Sequence, residues 1–317
     1  MFEIEVKSHR YLRTAMVLLL VGLGVAVFYQ TWRQGFELLG SVSAYYYTPA
    51  QAIFVGALIG LGACMIALKG TTDVEDVFLN LGGMFAAVVA IVPITRGEDY
   101  TTAVRACEQT AGPLLTERAS IDLDCPTVRA LADATRANVE NNMVALLVVG
   151  ALGLLATVFF ALRDSRSSQP GSRQKFWWGF VAAFLVYAVG AAAFWASTEW
   201  FVDRAHYIAG GGLFACVVVV AVANAVRHQD EQRRQLGGAP ESGRTLRAVP
   251  GAMRRPDRYA WLAWAMVAVA VVGGVLVFVN AFALFWFEIL VALLFALFWL
   301  VQTIEQLGHE PQPSPES

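Results

Sequence analysis

Eight apolar stretches, each close to the length needed to cross a bilayer, recur along this chain and are separated by polar segments. They cover roughly residues 14–29, 50–68, 77–94, 143–162, 176–196, 206–226, 260–279 and 282–302. At about 1.5 Å per residue, helices of these lengths match a hydrocarbon layer of ~30 Å, with some tilt. Lipid offers no partner to backbone N–H and C=O groups, so each run must close its own hydrogen bonds as a helix. The expected fold is therefore all-α: a polytopic transmembrane bundle of about eight spans in a single membrane domain over residues 1–304. The last two runs are nearly continuous. One helix of that length would overshoot the membrane, and Asn280 tolerates a tight turn, so the division is placed there.

Composition agrees. The 317 residues are 57% hydrophobic and 15% charged, whereas a soluble domain carries roughly 25% charged residues. A net charge of -2 and the absence of a Lys/Arg tract argue against nucleic acid as a partner. The preference for Arg over Lys and the Ala/Val richness fit a bacterial protein. The first apolar run follows Lys7, Arg10 and Arg13. It is long for a signal peptide, and the small residues Ser41, Ser43 and Ala44 lie too far beyond it for a cleavage site, so an uncleaved first helix is expected.

Basic residues set the orientation. With the N-terminus cytoplasmic, 16 Lys and Arg fall inside and 7 outside. An even number of spans then puts both termini in the cytoplasm and the protein in a bacterial plasma membrane as a multi-pass protein. Cys107 and Cys125 share the loop 95–142, which this orientation places outside, where a disulfide between them would persist. That loop also carries helical signals after Pro126 and should form a small ordered cap. Residues 227–259, rich in Arg, Gln, Gly and Pro, read as a cytoplasmic linker, and 305–317 as a disordered tail. Glycines inside the runs (Gly56, Gly60, Gly82, Gly83, Gly150, Gly190, Gly210 to Gly212, Gly273 and Gly274) are expected to let helices pack closely.

Ionisable groups inside a membrane are costly and few here. Glu288, in Phe285-Trp286-Phe287-Glu288, lies about two turns from the outer end of the last span and has no local salt-bridge partner. His206 opens the sixth span at the same level. Asp203 sits beside it in a short turn with Glu199, Trp200 and Arg204. Ser41, Ser43 and the three tyrosines Tyr45, Tyr46 and Tyr47 lead into the second span. Tyrosines at this depth anchor to the interface, but three in a row cannot all face lipid, so at least one should turn inward. These groups define a candidate pocket at the outer leaflet: Ser41, Ser43, Tyr46, Asp203, His206 and Glu288. On the other side, Thr72, Asp73 and Asp76 precede the third span as helix-capping groups, with Asn80 one turn inside. The remaining histidines, His9, His228 and His309, all lie on the opposite side from His206, which excludes a three-histidine zinc site. A mixed site of His206, Glu288 and Asp203 is the alternative that remains, and no cofactor or metal is otherwise implied.

The run Ser41-Val42-Ser43-Ala44-Tyr45-Tyr46-Tyr47-Thr48, with Phe54-Val55-Gly56, Asp76, Asn80 and Pro93, resembles a family of bacterial polytopic membrane proteins of uncharacterised activity with a Ser-x-Ser-Ala-Tyr-Tyr signature. A histidine early in a later span and a last span opening Phe-Trp-x-Glu are matched by His206 and by Phe285 to Glu288. More remotely the arrangement is similar to the CREST-like membrane proteins, which include ceramide hydrolases and receptor-like members. Those hydrolases carry several zinc-binding histidines, which this chain lacks. Their Arg-Asp pair before Phe-Val-Gly is Gln51-Ala52 here.

Three functions are compatible with this pattern. The first is binding of a lipid-like or small amphipathic ligand, or a partner protein, in the outer pocket, with membrane lipids as surroundings. The second is a hydrolase acting on a lipid headgroup, with Ser41 or Ser43 as nucleophile and His206 as base. The third is a proton-coupled transporter that uses Glu288.

Overall fold

The computed structural model describes residues 2–95, 125–164, 170–235, 258–279 and 283–307. Within them are eight α-helices and one 3-10 helix. They are α1 (Phe2–Arg33), the 3-10 helix Val42–Tyr47, α2 (Gln51–Ala67), α3 (Asp73–Ile91), α4 (Cys125–Asp164), α5 (Pro170–Ala196), α6 (Thr198–Gln235), α7 (Arg258–Val279) and α8 (Ala283–Leu307). Seven of the helices are long and apolar enough to cross a membrane; α2 is equally apolar but shorter.

Local chemistry sets the helix ends. The Thr72 side chain caps α3 by accepting from the Glu75 N–H at 3.2 Å, and Asp73, Glu75 and Asp76 fill the first turn, where the helix dipole favours acidic groups. α1 stops in a turn that puts Gly35 and Phe36 in the left-handed region, at φ 74° and 66°. Gly35 adopts it freely, whereas Phe36 does so at some cost in strain.

Several helices extend past their expected spans, α1 among them. α4 takes in residues 125–142 of the expected cap: the helix starting at Cys125 and Pro126 continues unbroken for 40 residues. Proline is well tolerated in a first helical turn, and no breaker follows it. α6 begins at Thr198, so Glu199, Trp200, Asp203 and Arg204 lie on helix rather than in a turn. Only Ser197 separates α5 from α6, and its hydroxyl accepts from the Trp200 N–H at 3.3 Å. α6 also takes in the first residues of the expected linker, and α8 those of the expected tail. The rest of the linker and tail, and Asn280, lie outside the described residues. Cys107 does too, and no disulfide is present among the described residues; Cys64 and Cys216 are free thiols.

Helices α1, α2, α3, α6, α7 and α8 pack each against the next, and α8 returns to α1, closing a ring of six. α4 and α5 lie outside it, against α3 and α6. Burial confirms this: 44% of the apolar stretch of α6 is buried, against 6% for α4 and 6% for α5. Glycine sets the closest approaches. A Cβ on Gly62 of α2 would stand 2.7 Å from the Gly83 carbonyl oxygen of α3, and one on Gly273 of α7 would stand 2.2 Å from the Phe287 ring of α8. The main core fills the ring from Met16 and Met65 to Phe298 and Trp299. A smaller core of Val92, Val139, Met143, Phe194, Phe201 and Ala205 joins α4 and α5 to the exit of α3.

Candidate functional site: two polar clusters at opposite ends of the ring

The 3-10 helix lies across one end of the ring, called here the rim. The Ser41 hydroxyl caps its start by accepting from the Ser43 N–H at 3.0 Å. From there its residues reach to separate helices. Ser41 Oγ and the Val42 N–H both donate to Glu288 Oε2, at 2.7 and 2.6 Å, and Ser43 Oγ donates to Glu288 Oε1 at 2.9 Å. This binds the 3-10 helix to α8. The Tyr45 hydroxyl meets Thr31 of α1. Because Thr31 gives its own hydrogen to the Val27 carbonyl at 2.9 Å, Tyr45 is the donor. The Tyr46 hydroxyl accepts from Asn138 of α4 at 3.2 Å, and the Tyr47 hydroxyl donates to the Ile94 carbonyl at the exit of α3, at 2.7 Å. Tyr45 and Tyr46 are buried, while Tyr47 is half-buried.

The exit of α3 is pinned a second time by α6. His206 Nδ1 lies 2.6 Å from the Val92 carbonyl oxygen, and Tyr207 OH lies 2.8 Å from Thr95 Oγ1. A carbonyl can only accept, so Nδ1 carries the imidazole hydrogen and Nε2 keeps the lone pair. His206 is buried and Asp203 exposed.

The six residues expected to share a pocket thus divide into separate bonded sets. Ser41, Ser43 and Glu288 form one unit. Tyr46 belongs to the contact with α4, and His206 to the exit of α3. Among the described residues, no hydrogen bond joins His206 to Glu288 or to either serine, and none involves Asp203. Among the described residues, no three His, Cys, Asp or Glu side chains come together to hold a metal ion, so His206, Glu288 and Asp203 do not assemble a mixed site. Glu288 is half-buried, and all its donors are neutral.

A second cluster sits at the opposite end of the ring, and sequence reasoning did not single it out. Asn224 of α6 is its centre. Its amide donates to Glu75 Oε1 at 2.8 Å and to the Val220 carbonyl at 3.2 Å, and its oxygen accepts from Gln302 Nε2 of α8 at 2.8 Å. Glu75 Oε2 accepts from both the N–H and the hydroxyl of Thr71. Arg13 of α1 lies over the Trp299 ring of α8, 5.5 Å from its centroid, and within electrostatic reach of Glu75, Arg227 and Tyr259. Arg13, Glu75, Asn224, Trp299 and Gln302 are all buried. The available signals were indirect: Arg13 opens the first span, Trp299 and Gln302 share a helix face at i and i+3, and Asn224 is a polar interruption in an apolar run.

This second cluster is incomplete. Arg13 Nε, Arg227 Nε, Trp299 Nε1, Gln302 Oε1 and both polar atoms of the Gln229 amide are buried without a hydrogen-bond partner among the described residues. Among the described residues, no buried side-chain polar atom of the rim is left in that state.

No protein-family model matches this chain, and neither a curated protein nor a solved structure matches it.

Proposed function

We propose that this multi-pass membrane protein binds a lipid-like or small amphipathic ligand at the outer leaflet, at the rim. In this reading α2 completes eight spans, both termini are cytoplasmic, and the rim faces out of a bacterial plasma membrane. The resemblance to the Ser-x-Ser-Ala-Tyr-Tyr membrane proteins belongs to the same proposal, since Ser41, Ser43, Tyr45, Tyr46 and Glu288 are the residues that build the rim. One observation carries the reading. Among the described residues, Glu288 is a half-buried acid held by the hydroxyls of Ser41 and Ser43 and by backbone N–H of the same segment, with no basic side chain bonded to it. Carboxyl groups at membrane depth are ordinarily matched by a cation or used for function. A ligand headgroup bearing an ammonium or hydroxyl donor could take the place of the serine hydroxyls.

The hydrolase reading draws less support. It needs a serine hydroxyl facing an imidazole, whereas both hydroxyls point to Glu288 and His206 is engaged with Val92. Transport is the second reading that an observation favours, because Glu75 supplies another buried carboxyl at the far end of the same ring.

The test is mass analysis of species that co-purify with the protein in mild detergent, repeated for Glu288→Gln and His206→Ala. A species retained by the wild type and His206→Ala but lost from Glu288→Gln is the expected result. Equal content in all three proteins would overturn the proposal. Proton uptake by proteoliposomes that is abolished in Glu288→Gln would instead select transport.

A further inference from the structure

The turn that ends α1 carries more strain than its cap requires. The Gly35 N–H donates to the Trp32 carbonyl at 3.1 Å, and the Phe36 N–H to the Thr31 carbonyl at 2.9 Å. This is the Schellman pattern, which needs one left-handed residue, and Gly35 supplies it. Phe36 is left-handed as well, at φ 66°, and is the one non-glycine residue with a positive φ among those described. That conformation costs a bulky residue free energy. The residue after the glycine ordinarily offsets it by folding back onto the apolar side of its own helix. Here the positions it would meet are Gln30 and Thr31, and Thr31 is buried and bonded to Tyr45. Phe36 instead stands 63% exposed, while Leu38 and Leu39, just beyond it, pack on the main core. Burial against the described residues therefore offsets little of the strain.

The surroundings point to what does. Leu18, Val21, Val25, Phe28 and Trp32 recur at three- and four-residue intervals along α1, and all are exposed. They form one apolar stripe inside the span Ser8–Arg33, a face whose solvent is lipid. Trp32 lies at the rim end of this stripe beside Tyr29, with ring centroids 5.7 Å apart. Trp and Tyr gather where acyl chains give way to headgroups. Phe36 follows the end of the span by only three residues, which puts it at that level. Arg33 and Glu37, on either side of the turn, are exposed and can stay in the headgroup layer.

We propose that the Phe36 turn is a membrane-interface anchor, with its ring seated between the headgroups and acyl chains of the phospholipid leaflet at the rim end. Burial of the ring in lipid offsets the left-handed backbone. The anchor also holds the chain six residues before Val42, where the 3-10 helix begins. It rests on the span of α1 and needs no ligand at Glu288.

The test places a benzophenone-bearing phenylalanine at position 36 of the full-length protein in phosphatidylcholine nanodiscs. A reference protein carries it in place of Asp133, an exposed residue on the polar extension of α4. After irradiation, intact mass should show phosphatidylcholine adducts about tenfold more often at position 36, as expected for a ring within the leaflet rather than in water. Equal adduct yields at the two positions, or a crosslink to a second copy of the chain in place of lipid, would overturn the proposal. Phe36→Asn is the complementary variant. Asparagine accepts a left-handed backbone more readily than phenylalanine but does not enter the interface. With the anchor lost, hydrogen exchange across residues 37–47 should run about threefold faster or more in the same nanodiscs. Exchange at the wild-type rate or slower, the result expected of a turn that is merely strained, would also overturn it. The species that co-purify with Glu288 are read in a separate assay, so either proposal can fail without the other.

Discussion

The two ends of the ring treat buried polarity in opposite ways. At the rim, the groups of one short segment, residues 41–47, find partners on α8, α1, α4 and the exit of α3, and no buried atom among the described residues is left over. At the Arg13 end a network of comparable size leaves donors and acceptors open. A completed polar network rigidifies a bundle, while an incomplete one at membrane depth is costly to keep. The difference teaches that a motif dense in serine and tyrosine can be a brace. The place where the protein is unfinished is marked instead by ordinary residues at ordinary spacing.

The comparison is broken most forcefully at Glu288. Glu288→Leu strands the donors of Ser41, Val42 and Ser43 and should destabilise the protein by ~3–9 kcal/mol, at about 1–3 kcal/mol per orphaned group. Reversible unfolding in mixed micelles with sodium dodecyl sulfate would measure it, and wild-type stability would remove the rim's role as a brace. Asn224→Leu tests the satisfied half of the other cluster. It deprives Glu75 and Gln302 of a shared partner, and a loss of ~2–3 kcal/mol is expected in the same assay. His206→Phe frees the Val92 carbonyl and should cost ~1–2 kcal/mol. It should also speed hydrogen exchange near the exit of α3, a local effect that sharpens the separation of His206 from the Glu288 unit. Smallest is Trp299→Phe, which leaves a small cavity at a fully buried position and deletes an N–H without a hydrogen-bond partner among the described residues, and should cost about 1 kcal/mol. A loss of ~3 kcal/mol or more would mean that the indole N–H is bonded and the Arg13 end complete.

Much of the architecture is legible in hydropathy, because lipid allows an apolar run few conformations. Each apolar run overlaps a helix among the described residues, and in polar extensions such as residues 125–142 helix continues past the apolar signal. Glu288 is legible for the same reason: a charge inside such a run has no bland explanation. Its partnership with Ser41 and Ser43 is not, since 247 and 245 residues separate them and only the closure of the ring brings α8 beside the 3-10 helix. Glu75 and Arg13 are hidden differently. An acid in a first helical turn is accounted for by capping and the dipole, and an arginine flanking the first span by topology. Each local explanation is sufficient, so nothing in either residue's neighbourhood points to a role across the bundle.

The position of α4 and α5 outside the ring bears on how the protein is made. α3 packs directly on α6, yet about a hundred residues separate the end of one from the start of the other. At roughly 5–20 residues per second, a ribosome needs on the order of 5–20 s to deliver α6 after α3 has emerged. Throughout that interval Glu75 has no Asn224 to meet. The nascent chain must hold an acidic helix start near water, or in the care of the insertion machinery, until its sixth helix arrives. Any change that shortens or stalls the intervening hairpin therefore acts on the timing of assembly before it acts on the finished fold.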